Sequence, residues 1–336
     1  MKLLSIAIPC YNSEGYMAHA IESLLAGGEE VEILIVDDGS KDGTAKIADD
    51  FAAQYPTIVR AIHQENAGHG GAVMAGLKNA TGLYFKVVDS DDWADTEAYP
   101  KVLDTLRQFV NEPLDMLVSN YIYDKVGEKH KHVVRYHHAL PQGKVFDWHE
   151  VKRFKKGQYL LMHAVIYRTQ LLRDCKLDLP LHTFYVDELY VYKPLTHVKR
   201  MMYLDVDFYH YFIGRDDQSV QEDVMLRRID QYLLVNRLLI TCTDPFVDEN
   251  KTRKRYMLNY LEIITTISSV LLIKSGTEEN LQKEEALWAW LKKEYPQLYR
   301  TLRHRATGIL IHLPGKLRKF VLTEGYEISR KIFGFN

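Results

Sequence analysis

Alternating apolar runs and segments of helical periodicity constrain the fold of the first third of this sequence. The runs that we expect to form buried strands are residues 3–9, 31–36, 58–63 and 83–88. After the first run, Asn12 or Ser13 is placed to cap a helix whose apolar residues recur every three or four positions. This strand–helix–strand order predicts an α/β fold with a parallel sheet and helices on both faces.

The pattern changes near residue 115, where strands rich in tyrosine are expected at residues 115–124, 133–138 and 201–212. From residue 222 onward the periodicity is helical. We therefore predict a first domain of residues 1–220, with halves of about 1–115 and 116–220, and a helical C-terminal region of residues 221–336.

Charge and cysteine content exclude several classes of protein. Lys and Arg number 43 against 45 Asp and Glu, so the net charge of −2 gives no reason to expect nucleic acid as a partner. Three cysteines without a CxxC pair exclude a zinc ribbon or a disulfide framework. No secretory signal is convincing, and no uncharged stretch approaches the ~20 residues of a spanning helix. The sequence predicts a cytoplasmic protein that does not cross a membrane.

Two of the expected strands end in acidic residues. Asp37 and Asp38 follow the second run, and Asp89, Asp91 and Asp92 follow the fourth. The first pair could cap a helix, or it could hold a carboxylate that accepts the imide N–H of uracil. The carboxylates of the second group repel one another, so they favour the binding of a hard cation, Mg²⁺ or Mn²⁺. Ligands of parallel sheets bind at the carboxyl ends of the strands, where both groups are expected to lie.

A glycine-rich turn precedes the third helix. Its backbone at Gly68 and Gly70 could approach a pyrophosphate closely. The third glycine of a dinucleotide fingerprint is missing, since Val73 stands there, and the turn follows the third strand instead of the first. His69 is either a loop residue or a ligand contact.

Four ordered motifs together resemble the family 2 glycosyltransferases. They are Pro-Cys-Tyr-Asn at 9–12, Val-Asp-Asp-Gly-Ser at 36–40, the turn at 66–72 and Asp-Ser-Asp-Asp at 89–92. The resemblance covers about residues 1–215. It implies the Rossmann-like GT-A fold, an α/β fold with a mixed, mainly parallel sheet. It also implies an inverting enzyme that uses a nucleotide-diphosphate sugar, with residues of about 1–115 as the nucleotide-sugar half and about 116–220 as the acceptor half.

The resemblance also implies a donor site. Tyr11 would lie against the uracil ring and Pro9 would shape the same pocket. Asp38 would be the uracil acceptor, with Asp37 beside it. Other residues of the four motifs are assigned to nucleotide-sugar binding in the same way: Asn12, Asn66, Gly68, His69, Gly70 and Ser90.

The metal and the base follow from the same resemblance. Asp91 would bind Mn²⁺ or Mg²⁺ directly, Asp89 would contact sugar or ribose hydroxyls beside the metal, and Asp92 would only orient the turn. An acidic residue later in the chain serves the family as catalytic base. Asp187 fits that position, and Glu188 is the second choice; a carboxylate that merely stabilises a helix N-terminus is the other interpretation of Asp187.

Three further residues are less specific. His210 or Arg215 would neutralise the leaving group, in the segment that closes over the diphosphate in the family, unless they pair with Asp216 or Asp217. His163 stands where related enzymes shape the acceptor side, and structural burial is an equal alternative.

The predicted reaction is transfer of a hexose or N-acetylhexosamine from a UDP-sugar to a hydroxyl of a saccharide or glycolipid, in the synthesis of cell-surface polysaccharide or glycoconjugate. One alternative is a transferase that attaches a sugar to polyprenyl phosphate, because the turn at residues 66–72 also resembles a motif of those enzymes. A second alternative is a non-catalytic nucleotide-sugar-binding module on the same fold.

Residues 300–336 carry eight Lys and Arg against two Glu, interleaved with apolar side chains. Two interpretations stay open. The tail packs on the protein with its charges in water, or it is a peripheral anchor on the anionic inner face of the cell membrane.

Overall fold

The structure is a computed structural model that describes residues 2–125, 131–214, 221–314 and 318. Its strands are β1 (Leu4–Cys10), β2 (Val31–Asp37), β3 (Val59–His63), β4 (Tyr84–Val87), β5 (Trp93–Ala94), β6 (Met116–Lys125), β7 (His132–Val134), β8 (Val145–Phe146), β9 (Val165–Arg168) and β10 (Met201–Ile213). Its helices are α1 (Met17–Leu25), α2 (Thr44–Gln54), α3 (Gly68–Asn79), α4 (Tyr99–Gln108), α5 (Thr169–Asp174), α6 (Asp187–Tyr192), α7 (Glu222–Arg227), α8 (Ile229–Cys242), α9 (Lys251–Ser275), α10 (Glu278–Glu294), α11 (Pro296–Arg303) and α12 (Ala306–Ile311).

One mixed sheet runs in the order β3-β2-β1-β4-β9-β6-β10-β5, with β7 beside β6 and β8 beside β10. The strands β1 to β4 are parallel to one another, and so are β6 and β10. The strand β9 is antiparallel to both of its neighbours, β4 and β6. The predicted mixed, mainly parallel sheet is therefore confirmed, and six strands present their carboxyl ends at one edge.

The apolar runs became strands because they are buried on both faces. Every residue of β1, β2 and β4 is buried. The helix α3 lies close against β1, since a Cβ on Gly76 would stand 2.5 Å from the Cβ of Ala7. Some predicted bounds were wrong: β7 ends at Val134 instead of residue 138, because its short pairing with β6 stops there.

The chain divides into two compact units. The first comprises the described residues up to Gly214 together with Phe246–Tyr256, and the second comprises those of 215–245 and 257–336. The predicted boundary at residue 220 instead assigned Phe246–Tyr256 to the helical C-terminal region. Tyr256 explains the difference, because its hydroxyl accepts a hydrogen bond from the Leu160 N–H at 2.9 Å and its ring lies 4.8 Å from that of Phe154.

Among the described helices, α9 is long and apolar enough to cross a membrane, with a mean hydropathy of 1.5 in its most apolar window. The sequence prediction counted only uncharged stretches and so passed over it. Of that window, 72% is buried inside the structure, and a buried core helix passes the same test. The helix is thus weak evidence for a membrane span.

The described part of the basic tail packs within the second unit. Leu302 and Ile311 are buried, and Arg305 forms an ion pair with Glu262. Farther along, Arg318 pairs with the buried carboxylate of Glu284. Residues 315–317 and 319–336 lie outside the described residues, so the membrane anchor stays a prediction for them.

Candidate active site

An open cleft of about 580 Å³ lies at the carboxyl edge of the sheet. Tyr11, which directly follows β1, leaves 51% of its surface exposed there. An aromatic ring held at the rim of a cleft offers a face to a planar base. The residues that line the cleft are Tyr11, Gly39, Lys41, His63, Gln64, Glu65 and Asn66.

Asn12 joins the loop after β1 to the loop after β2. Its N–H donates to the hydroxyl of Ser40 at 3.0 Å, and its side-chain oxygen accepts from the N–H of Lys41 at 2.8 Å. Its φ of 49° lies in the left-handed region, which asparagine tolerates better than most residues. Pro9 is buried within β1 and is not among the residues that line the cleft, so it can shape the cleft only through its neighbours.

Asp37 ends β2 and is tied to its neighbours. Its carboxylate lies 3.0 Å from His63 Nδ1 and accepts a hydrogen bond from the Ser40 N–H at 3.1 Å. Burial alone would raise the pKa of Asp37, but the hydrogen bonds from His63 and Ser40 hold it below its ordinary value. The imidazole of His63 also pairs with Asp49 at 3.1 Å, and its pKa is raised by these two carboxylates.

Asp38 is only 2% exposed, and both of its carboxylate oxygens accept hydrogen bonds. One oxygen accepts from the Gln64 side chain at 2.7 Å and from the Ala67 N–H at 2.7 Å, and the other accepts from the Gly68 N–H at 2.8 Å. The side chain of Asn66 donates to the main-chain carbonyl of Asp38 at 2.9 Å. The carboxylate therefore fixes the start of α3, and its role as uracil acceptor stays a prediction.

The glycines of the turn make room for another part of the chain. A Cβ on Gly68, whose φ is +77°, would stand 2.8 Å from the Cα of His182. A Cβ on Gly70 would stand 2.8 Å from the carbonyl oxygen of Pro180. A close packing contact thus accounts for both glycines, and contact with a pyrophosphate stays a prediction.

The acidic cluster (Asp89, Asp91 and Asp92) forms a tight turn after β4, in which the Asp92 N–H donates to the Asp89 carbonyl at 3.0 Å. The carboxylate of Asp89 pairs with His69 Nε2 at 2.8 Å. Burial alone would raise the pKa of Asp89, but His69, together with His163 and Lys86, lowers it below its ordinary value. In the same pair, burial would lower the pKa of His69, and Asp89 raises it. The hydroxyl of Ser90 lies 3.0 Å from that of Ser13, which ties the turn to the loop after β1.

Asp92 is fully buried and holds the turn against β10. Its two carboxylate oxygens accept from the Tyr209 hydroxyl at 2.5 Å and from the Phe212 N–H at 2.8 Å. Burial, and then the charges of Asp91 and Asp89, raise its pKa well above the ordinary value. These contacts agree with the expectation that Asp92 only orients the turn.

Lys86, which the sequence analysis did not single out, lies fully buried in β4 beneath the acidic cluster. Its ammonium stands 4.9 Å from the centre of the Tyr209 ring, and burial lowers its pKa to about 7 against the charges of Asp89 and Asp92. The signal that could have found it is one charged residue inside an apolar run that must be buried.

His163 is 7% exposed, and burial lowers its pKa to about 4. Its ring packs between those of Tyr209 and Tyr211, at 4.8 and 4.4 Å. The structure thus shows the burial that was one of the two interpretations of His163. A role in shaping the acceptor side stays a prediction.

Two sets of residues could hold a divalent cation. Ligand atoms of Asp89, Asp92 and His163 lie within 4.8 Å of one another. The oxygens of Asp92, however, are already engaged, and Lys86 supplies a positive charge from below. Asp91 and Asp89 are half-exposed carboxylates, and such oxygen ligands fit Mg²⁺ or Mn²⁺.

Asp187 is the first residue of α6 and is half-buried, whereas the next residue, Glu188, is only 6% exposed. Burial raises the pKa of Asp187 to about 6, His69 lowers it and Asp89 raises it. The fold thus brings Asp187 within electrostatic range of the pair formed by His69 and Asp89. The more accessible of the two candidate bases is the one preferred from the sequence.

His210 is buried between two carboxylates. Its Nδ1 lies 3.0 Å from the Asp124 carboxylate, its Nε2 lies 3.4 Å from that of Asp95, and its ring stacks on Trp93 at 5.1 Å. Both ring nitrogens thus face carboxylates, and contact with a leaving group stays a prediction. Arg215, the alternative, lies outside the described residues.

The sheet order, the acidic turn at its carboxyl edge and the helices that follow are those of the GT-A fold. Residues 5–170 match the sequence profile described as "Glycosyl transferase family 2". This region of the chain belongs to glycosyl transferase family 2.

Known proteins support this assignment. The chain is 24% identical over 303 residues to "Putative glycosyltransferase EpsH" of Bacillus subtilis, covering 83% of this chain and 80% of that protein. Other curated glycosyltransferases match over shorter stretches, and the chain spans 15–49% of their lengths.

Solved structures share the fold. S. aureus TarS 1-349 in complex with UDP-GlcNAc has a TM-score of 0.68 at 19% identity, covering 98% of this chain and 92% of that one. Mannosyltransferase PcManGT from Pyrobaculum calidifontis, in complex with GDP-Man and Mn²⁺, has a TM-score of 0.55 at 14% identity, covering 98% and 86%.

Proposed function

We propose that the protein is an inverting glycosyltransferase that moves a hexose or N-acetylhexosamine from a UDP-sugar to a hydroxyl of a saccharide or glycolipid. The single observation that carries the proposal is the position of Asp187, a half-buried carboxylate within electrostatic range of Asp89 and His69. The relatives support a place in cell-surface polysaccharide or glycoconjugate synthesis. We place the enzyme in the cytoplasm, with the part of the basic tail that lies outside the described residues (315–317 and 319–336) as a peripheral contact to the membrane.

The donor base would occupy the open cleft beside Tyr11. The exposed ring offers a stacking face, and the polar lining of Lys41, Gln64 and Asn66 offers hydrogen bonds to the base and ribose. The likeness to TarS with UDP-GlcNAc favours uridine, and the likeness to PcManGT with GDP-Man makes guanosine the alternative to test.

Asp91, with Asp89 beside it, would hold Mn²⁺ or Mg²⁺ next to the diphosphate. A divalent ion there supplies Lewis acidity that stabilises the negative charge of the departing nucleotide diphosphate. His69 keeps the carboxylate of Asp89 ionised and oriented through their 2.8 Å contact.

Asp187 would act as general base. Its raised pKa of about 6 leaves it ionised at neutral pH yet basic enough to take a proton from the acceptor hydroxyl. That oxygen then forms the new bond to the anomeric carbon, while the bond from this carbon to the phosphate oxygen breaks. Attack opposite the leaving group inverts the anomeric centre without a covalent enzyme intermediate.

Release of nucleotide diphosphate from a panel of UDP- and GDP-sugars, with Mn²⁺ and saccharide acceptors, tests the proposal. The variant Asp187→Asn should retain UDP binding and lose about 10²–10⁴-fold in turnover, the range for general acid–base catalysis. The exposed Asp178→Asn, nine residues earlier, is the matched control and should keep full turnover. No turnover by the wild-type chain with any donor, despite tight UDP binding, would indicate the binding-module alternative.

A further inference from the structure

Asp38 is linked by short contacts to the segment that carries Asp187. Its carboxylate accepts the N–H groups of Ala67 and Gly68 at 2.7 and 2.8 Å. The carbonyl of Ala67 in turn accepts the N–H of His182 at 2.8 Å. Residues 180–187, here called the base-bearing segment, therefore rest on the two residues that Asp38 holds.

The base-bearing segment is pressed closely on this turn. Only a glycine fits at position 68, because a Cβ there would stand 2.8 Å from both the Cα and the N of His182. The segment itself contains two left-handed residues that are not glycine, His182 at φ 50° and Tyr185 at φ 66°. Such conformations persist only where the surroundings hold them. The contacts at residues 67 and 68 provide such a hold at His182, five residues before Asp187 begins α6.

We propose that Asp38 is a positioning residue for Asp187, which it aligns through the Ala67–Gly68 turn and the base-bearing segment. The proposal rests on the assignment of Asp187 as the base. It assigns to Asp38 a role separate from contact with uracil, and it makes the nucleotide side of the site and the base parts of one hydrogen-bonded unit.

The alignment has a consequence for proton affinity. The groups that face Asp187 are His69 on α3, Asp89 after β4 and Tyr159. Burial is the main reason that the pKa of Asp187 stands at about 6. If the base-bearing segment loosens, Asp187 gains water and its pKa falls, so the acidic limb of the rate profile moves to lower pH.

The first test compares Asp38→Asn with Glu32→Gln. Glu32 is a matched control at the opposite end of β2, because its buried carboxylate also accepts two successive N–H groups, those of Thr81 and Gly82 at 2.5 and 3.2 Å. In Asp38→Asn the amide cannot accept from all three donors. We expect kcat at saturating donor to fall roughly ten- to a hundredfold, since a misplacement of about 1 Å at a reacting group costs that order of rate.

In the same variant we expect the calorimetric Kd for UDP to stay near the wild-type value and the acidic limb of kcat/KM to move to lower pH. Glu32→Gln should lose stability and leave kcat and the pH profile unchanged. A weakened Kd for UDP with wild-type kcat and an unmoved limb would overturn the proposal and leave Asp38 as a uracil contact alone.

The second test is Gly68→Ala, which pushes directly on His182 and leaves the Asp38 carboxylate in place. Gly68→Ala should lower kcat and move the acidic limb of kcat/KM to lower pH, as Asp38→Asn does. The double variant should be no slower than the slower of the two single variants. Unchanged kcat in Gly68→Ala would overturn the proposal even if Asp38→Asn fails to fold. Failure of the proposed function would instead appear as unimpaired turnover in Asp187→Asn, a result independent of both variants.

Discussion

The ammonium of Lys86 donates a hydrogen bond to the main-chain carbonyl of His163 at 2.8 Å, inside the sheet and below the acidic cluster. The contact joins β4 to the residues just before β9, which are 77 positions apart. Lys86 thus lies below a turn that carries three carboxylates, and it anchors the main chain at His163 beside that turn.

Replacing Lys86 by Met should destabilise the first unit. The substitution leaves the His163 carbonyl buried without its donor, which costs about 1–3 kcal/mol, and it removes the positive charge that faces Asp89 and Asp92. Denaturant unfolding at pH 7 measures the loss. The exposed Lys101→Met is the control, and an equal effect of the two substitutions would contradict the account.

Activity should fall on the acidic side with an apparent pKa near that of Asp187, about 6. The base must be ionised to accept a proton, so kcat/KM is full above that pH and is lost as the pH falls through it. A profile of kcat/KM between pH 4.5 and 8 at saturating Mn²⁺ measures the limb. A limb near 4, the ordinary value for an aspartate (~3.9), would argue against Asp187 as a buried base.

Replacement by Asn should have different effects at Asp91 and at Asp92, the last two residues of the acidic cluster. Asp91→Asn should abolish most of the Mn²⁺ dependence of UDP binding and leave thermal unfolding unchanged, because Asp91 is half-exposed. Asp92→Asn should lower the unfolding temperature, because its buried oxygens hold Tyr209 and Phe212. Calorimetry with and without chelator, together with thermal unfolding, separates the two effects. Equal Mn²⁺ dependence in wild type and Asp91→Asn would refute the metal role.

Tyr11→Ala should weaken UDP binding roughly five- to hundredfold, since stacking of a base on an aromatic ring contributes ~1–3 kcal/mol. Titration of the wild type with UDP and with GDP completes the measurement. Tighter binding of GDP would overturn the uridine preference, and an unchanged UDP affinity in the variant would remove Tyr11 from the site.

Local patterns predicted most of the sheet and its functional edge. The runs that became β1, β2 and β4 could be recognised because burial on both faces makes each run almost continuously apolar. The residues that pair across the sheet cannot be recognised from a local pattern in this way. The pairing of Lys86 with His163, the hold of Asp38 on Gly68 and the enclosure of His210 by Asp95 and Asp124 each join distant segments, so local patterns could not predict these contacts.

The reversed strand β9 lies between β4 and β6, although it follows both of them in the chain. During synthesis on the ribosome, the open edge of β4 therefore has no partner until residues 165–168 have emerged. An unpaired strand edge is a template for association with other chains. Residues 1–115 therefore cannot complete this sheet on their own, and the β4 edge stays unpaired until about half of the chain, 168 of its 336 residues, has been made.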